Sequence, residues 1–286
     1  MLIILHYPFL YPAIVLTLVL SLLFSYLGFH VIRRGVIFVD LALAQMAGLG
    51  MSVALALGFC EDGNSAYLLS LAFTMLGALL FAFFRKGQHL LPIEALIGIT
   101  YVGAITLSLL LLEKSAQGTE HVREMLMGTL FTTDWTKVRS IALIAALLAT
   151  VHILFRKRFL SITDSPETAA ANGQSILGWD LLFYVLFGLI VNGAVRVAGV
   201  LPVFAFLTIP ASVAAFTGGS TLTRLVIGAM AGILGCIVGL EGAMRLDLAA
   251  GPSIIGTLLG LLFIAVLIAL FRGKLTKRAL HKDSGQ

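Results

Sequence analysis

The sequence predicts an all-α fold: a polytopic bundle of about nine transmembrane helices (eight to nine). Three observations carry that prediction. Apolar runs of about twenty residues, the length that crosses a bilayer core, recur along the whole chain. Composition leaves little for anything else, since 59% of the 286 residues are hydrophobic and 12% are charged, with a mean hydropathy of +1.05. The basic residues gather in short clusters between the runs, where they act as orientation signals.

Taken in order, the spans are expected near 9–30, 36–58, 66–84, 92–112, 139–155, 179–196, 198–216, 223–243 and 253–271. The first run has no basic stretch before it and no small-residue cleavage pattern after it, so it is expected to be a retained helix. With the N-terminus outside, the inner connections hold Arg33, Arg34, Arg85, Lys86, Arg156, Lys157, Arg158, Arg224 and the five basic residues of 272–286. That places 13 of the 19 Lys and Arg inside, and the positive-inside rule selects this orientation. The chain then reads as a single transmembrane domain, 1–286, ending in a cytoplasmic tail, 272–286. Arg196 and Arg245 fall at outer helix ends, where they are expected to snorkel. Segment 119–137 is half apolar and half charged; it is expected to be an amphipathic helix in the outer interface, with a short re-entrant piece as the alternative.

Several function classes are excluded. Cys60 and Cys236 are too few and too far apart for a disulfide framework or a metal cluster. The net charge of +5 sits at helix ends and forms no nucleic-acid patch. The six histidines include no pair at zinc-ligand spacing on one helix. No phosphate-binding G-x-x-x-x-G-K-[ST] loop and no G-x-S-x-G elbow occurs, so the chain is not expected to be an enzyme or to hydrolyse ATP itself.

Ionisable residues within spans are costly and are therefore candidates for function. Asp180 is expected to be wet at an inner interface, Glu94 to stabilise a helix N-terminus, and Asp247 to lie in a turn. Glu241 has Arg245 four residues on, an i,i+4 pair. Asp40, expected one to two turns into the second span with no local partner, is the leading pathway candidate. The stretch Val195–Gly219, VRVAGVLPVFAFLTIPASVAAFTGG, reads as a helix broken at Pro202 and Pro210. Freed carbonyls in hydrocarbon need partners in protein or in a wet cavity, and transporters gate at such breaks. In the eighth span Gly228, Gly232, Gly235, Gly239 and Gly242 form a bare stripe, expected to let another backbone approach closely.

Four stretches, in order, resemble the membrane permease subunits of bacterial ATP-binding-cassette importers for zinc, manganese and iron. They are GVIFVDLALAQMAGLG (35–50), PIEALIGITYVGAITLSLLLL (92–112), DSPETAAANG (164–173), and VAGVLPVFAFLTIPASVAAF (197–216) followed by LDLAAGP (246–252). The resemblance implies a homodimer in the inner (plasma) membrane, a cytoplasmic ATPase partner that uses the ATP, an extracytoplasmic metal-binding protein, and no cofactor bound by this chain. It implies alternating access for a divalent metal ion, zinc first, with manganese or iron next. A permease for a metal complex, such as cobalamin or an iron siderophore, is the alternative. The ATPase contact is expected at Thr217, Gly218, Gly219, Ser220, Thr221 and Arg224, with 162–176 as a second candidate. One departure stands out. Many members carry Asp-x-x-x-His in the second span; here Gln45 takes the histidine's place, Leu41 takes the aspartate's, and Asp40 lies five residues before Gln45. Five residues turn a helix by about 140°, so Asp40 and Gln45 point apart, and Gln45 offers only a neutral carbonyl oxygen.

Overall fold

A computed structural model describes residues 3–61, 63–85, 91–113, 118–217 and 220–271, and these residues are helical with short connections. Among them, nine helices are long and apolar enough to cross a membrane. They are α1 (Tyr11–Arg33), α2 (Val39–Ala56), α3 (Asn64–Arg85), α4 (Ile93–Leu112), α6 (Trp135–Leu154), α9 (Ile176–Ala198), α10 (Val200–Thr217), α11 (Thr221–Leu246) and α12 (Ala250–Phe271). Three shorter α-helices lie among the described residues: α5 (Gly118–Met127), α7 (Arg156–Asp164) and α8 (Pro166–Ala171). The expected tail, 272–286, lies outside the described residues.

Polar caps set several helix starts a few residues earlier than hydropathy does. Asp134 accepts from the Lys137 N–H (2.8 Å), Ser175 from that of Gly178 (3.3 Å) and Ser220 from that of Thr223 (3.3 Å). Each cap satisfies a first-turn donor that would otherwise be orphaned. The core is built from α1, α2, α9 and α10, the most buried spans, while α4 and α12 turn apolar faces outward. Leu16, Leu20, Phe24 and Leu27 of α1 and Phe183, Phe187 and Ile190 of α9 are fully buried in it. Ile99, Leu110, Phe263 and Phe271 on the rim are exposed, as lipid-facing residues are. The end of the bundle where α1 finishes, with Arg33, Arg34, Arg156, Lys157, Arg158 and Arg224, is hereafter the basic end.

The glycine stripe of α11 has several partners. A Cβ on Gly228 would meet the Pro210 carbonyl at 3.2 Å, Gly232 faces Ser21 of α1, Gly235 and Gly239 face Leu258 and Ile254 of α12, and Gly242 faces open space. The stripe is therefore close packing shared among α1, α10 and α12.

Segment 119–137 contains most of α5 and the start of α6. After α5 comes a 3-10 turn, Leu130–Thr132, and the junction between them is wedged against the α9–α10 corner. That corner is one residue, Gly199, with φ 85°. Gly128, at φ 75°, packs on the Ala198 and Gly199 backbone, the Thr129 N–H donates to the Val197 carbonyl (2.9 Å), and Gly251 of α12 packs on the Met127 carbonyl. Backbone meets backbone because none of these glycines carries a Cβ. Gly199→Ala combines a disfavoured φ with a clash and is expected to cost about 1–3 kcal/mol. Thermal unfolding of the detergent-purified protein should show a lowered midpoint for it, whereas Gly256→Ala, where a Cβ meets nothing within 4 Å, should be neutral or stabilising.

Candidate functional site

A cavity of about 730 Å³ opens at the end of the bundle opposite the basic end, between α2, α3, α5, α6 and α9. It reaches inward to Ala47 and Gly48, the midpoint of α2, and to Ser70 of α3. Nearer the mouth stand Glu61, Glu124 and Arg196. Arg196 donates to the Glu61 carbonyl (3.0 Å) and lies over the Tyr67 ring. At the same end Arg245 Nε meets Glu241 Oε1 at 2.7 Å, the local pair that the sequence predicts, and Glu241 Oε2 also accepts from the Ile4 N–H (3.2 Å).

Three buried polar side chains meet at the inner end of the cavity, Ser70 lining it and Thr74 and Asn192 packed behind. Ser70 Oγ lies 2.9 Å from the Ala47 carbonyl and 2.7 Å from the Asn192 amide; Thr74 Oγ1 lies 2.8 Å from the Ser70 carbonyl and 3.3 Å from the same amide atom. Ser70, Thr74 and Asn192 are each at most 1% exposed. Sequence reading missed this cluster, since serine, threonine and asparagine are common in helices and 122 residues separate Ser70 from Asn192.

Asp40 lies deeper, toward the basic end. It is 1% exposed, and neither carboxylate oxygen has a hydrogen-bond partner in bonding geometry; the nearest donors are the first-turn N–H groups of Asp40 and Leu41. The expected position one to two turns into the span is corrected: α2 begins at Val39, so Asp40 is in its first turn. The preceding residues form the turn that closes α1, with Gly35 at φ 68° and the Val36 N–H donating to the Val31 carbonyl (3.3 Å). A helix N-terminus is a favourable place for a carboxylate. Seven residues turn a helix to within about 20° of the same direction, so Asp40 shares the face of Ala47 and Met51, both of which line the cavity. Gln45 is fully buried with both amide atoms unpartnered, about 140° around the helix from Asp40. Among the described residues, no group of three or more His, Cys, Asp or Glu side chains is placed to hold a metal ion.

The basic end carries a second buried network. Arg34 Nη1 is 2.8 Å from Asp180 Oδ1, with side-chain exposures of 0% and 2%. The expectation that Asp180 is wet is therefore wrong. Hydropathy sees an acid beside an interface and does not see the guanidinium of α1 that covers it. Arg34 lies over the Phe183 ring and donates from Nε to Thr163 Oγ1 (3.1 Å), and Thr163 in turn is 2.9 Å from His30 Nδ1. His152 of α6 stacks on Phe159 of α7, and its ring centroid is 6.1 Å from that of His30. The two histidines share no helix and meet only in the fold. The positive charge of Arg34 opposes a cation between them. Arg33 pairs with Asp164, so α7 is rooted in α1, α6 and α9.

The remaining candidates spread along α10. The break expected at Pro202 is absent. Pro202 lies in the first turn of α10, where its missing N–H leaves no bond unmade, and the interruption falls at Gly199. Pro210 lies inside a continuous α10 and leaves the Phe206 carbonyl without its usual donor. Nearby, Thr208 and Ser212 hydroxyls donate to the Phe204 and Thr208 carbonyls. Thr217 ends α10, Ser220 caps α11, Thr221 is exposed and Arg224 half-buried; Gly218 and Gly219 lie outside the described residues.

A polytopic helical bundle with one-sided polar access to mid-membrane is the architecture of a transport permease. The chain belongs to the ABC 3 transport family, which matches residues 6–269. It is 23% identical over 265 residues to the manganese import system permease protein ScaB of Streptococcus gordonii, covering 92% of each chain. It is 27% identical over 252 residues to the high-affinity zinc uptake system membrane protein ZnuB of Haemophilus influenzae, covering 87% of this chain and 93% of that one. Its fold matches a chain of PsaBC from Streptococcus pneumoniae, solved in complex with Fab, at TM-score 0.77 and 21% identity over 92% of each chain. It is thus a membrane permease subunit of metal importers of the ATP-binding-cassette class, a multi-pass protein of the inner membrane.

Breaking the buried pair strands a charge, so Arg34→Ala or Asp180→Asn is expected to cost about 3–5 kcal/mol, while the apolar double change Arg34→Met with Asp180→Leu recovers most of it. Thermal unfolding of the three variants in detergent checks the order.

Proposed function

We propose that this chain, as a homodimer with its N-terminus outside, carries a divalent metal ion inward by alternating access. A separate cytoplasmic ATPase supplies the driving force, and an extracytoplasmic binding protein delivers the ion. The observation that carries the reading is the cavity: it is open at the end away from the basic cluster, reaches the middle of α2, and stops at a buried polar floor. Such one-sided access is one half of an alternating cycle. Relatives named for manganese and for zinc support a first-row divalent ion as the cargo, and zinc, the first expectation from sequence, belongs to that set. ATP is used by the partner, and this chain binds no cofactor of its own.

For coupling, the rooted helix pair α7–α8 is the better-supported ATPase contact than Thr217–Arg224. It projects at the basic end, and a push on it is delivered through Thr163, Phe159 and Arg33–Asp164 to α1, α6 and α9. The short link of 218–220 connects only α10 and α11.

The deciding experiment is uptake of zinc, manganese and iron by cells lacking their own importers and expressing this permease with its ATPase and binding protein. Uptake of none of the three rejects the reading. Asp40→Asn is expected to lower uptake about tenfold with the membrane amount of the protein unchanged; normal uptake removes Asp40 from the pathway. Glu167→Lys, on exposed α8, is expected to weaken ATPase co-purification about tenfold, with Arg224→Ala within about twofold of the parent. The reverse order moves the contact to Thr217–Arg224.

A further inference from the structure

The hydrogen-bond count at the cavity floor does not close as the side chains stand. Ser70 and Thr74 each have one hydroxyl proton, and each has a backbone carbonyl at 2.9 Å or less to receive it: Ala47 O for Ser70 and Ser70 O for Thr74. The Asn192 atom that meets both hydroxyls stands as Oδ1, at 2.7 and 3.3 Å, and Nδ2 is left with no partner for either proton. Two oxygens then face an oxygen with no proton left between them. Amide oxygen and nitrogen are told apart only by such networks. Turning the amide by 180° lets Nδ2 donate to Ser70 Oγ and Thr74 Oγ1, so four donors are satisfied. A single atom is left over, the Asn192 carbonyl oxygen, buried and unpartnered at the level of the middle of α2. A buried polar group without a partner costs about 1–3 kcal/mol, which a ligand recovers.

The polar side chains leading to this point are aligned. On α3, Asn64, Tyr67 and Ser70 line the cavity at successive steps of three, with Thr74 one turn below. On α9, Arg196 lines it and Asn192 lies one turn below. On α2, Ala47 and Met51 line it, and Asp40 lies two turns below on the same face, unpartnered. Oxygen donors follow one another down this seam: the Ser70 hydroxyl, the Asn192 amide, then the Asp40 carboxylate. Among the described residues, no imidazole and no thiolate lines the cavity. Oxygen donors suit hard cations, while imidazole and thiolate favour zinc.

We propose that Asn192 and Ser70 form an oxygen-only station for a partly hydrated divalent cation at the cavity floor, and that this station selects manganese over zinc. The inference rests on the permease reading above and narrows its cargo. The station is weak by construction, with neutral ligands, as a transit site has to be.

The test uses the complete transporter in cells lacking other importers, on a Cys60→Ser background, with labelled manganese and zinc as probes. The parent is expected to take up manganese in preference to zinc. Asn192→His supplies an imidazole and is expected to raise the zinc-to-manganese uptake ratio about tenfold, a ratio that a purely structural defect does not move. Ser70→Cys, nearly isosteric, is expected to react with a membrane-impermeant thiol reagent from outside, to be protected by manganese, and to make uptake sensitive to cadmium. An unchanged ratio in Asn192→His overturns the station, as does a Ser70→Cys protein that is neither labelled nor blocked. Where Asn192→His fails to reach the membrane, Ser70→Cys decides alone. A parent that prefers zinc overturns the selectivity, and a parent that carries none of the metals brings down the permease assignment itself.

Discussion

Hydrocarbon gives a backbone N–H or C=O no partner, and most of this structure follows from that constraint. It forces every span into a helix and makes any non-helical residue between spans expensive. The chain answers at the α9–α10 corner with one glycine. Around Gly199 the exposed backbone of the corner is met by the backbone at Gly128 and Thr129, and the Thr129 N–H takes the Val197 carbonyl. The α5 segment is therefore a cover for unsatisfied backbone, and its Glu124 lines the cavity while its glycine end is committed to the corner.

Buried side chains obey the same rule with two different outcomes. At the basic end the groups are charged, and Arg34 meets Asp180, Thr163 and the Phe183 face at once. Separating such a pair costs several kcal/mol, so this end holds one arrangement. At the cavity floor the groups are neutral, and the count leaves one atom over. A neutral orphan costs less and is relieved by any donor or cation that arrives. One cluster is built to stay, the other to accept.

What the sequence made legible was local. Nine spans came from hydropathy and the Glu241–Arg245 pair from a spacing of four, while the helix starts at Asp134, Ser175 and Ser220 came only with the structure. The order of four motifs carried the family. What stayed hidden was joined through space. Arg34 and Asp180 are 146 residues apart, His30 and His152 sit on different spans, and Ser70 and Asn192 are unremarkable until they touch. Asp40 was misplaced for a different reason: hydropathy counts Val36–Phe38 into the second span, while the backbone spends those residues on the turn that follows α1.

These pieces meet on α10. At one end its first turn, with Pro202, is held under the α5 wedge and against Gly251 of α12. At the other end Thr217 leads into the link to α11. Midway, Pro210 removes one helix bond, and its carbonyl lies against the bare Gly228 of α11. The helix is therefore fixed at its cavity end, weakened at its centre, and closely followed by a neighbour without side chains at the weak point. Its flanking helices α1 and α9 are bolted together by Arg34 and Asp180 at the basic end. A displacement of α7 reaches α1 and α9 as a pair, and α10 between them is the span whose interior bonding offers least resistance to bending.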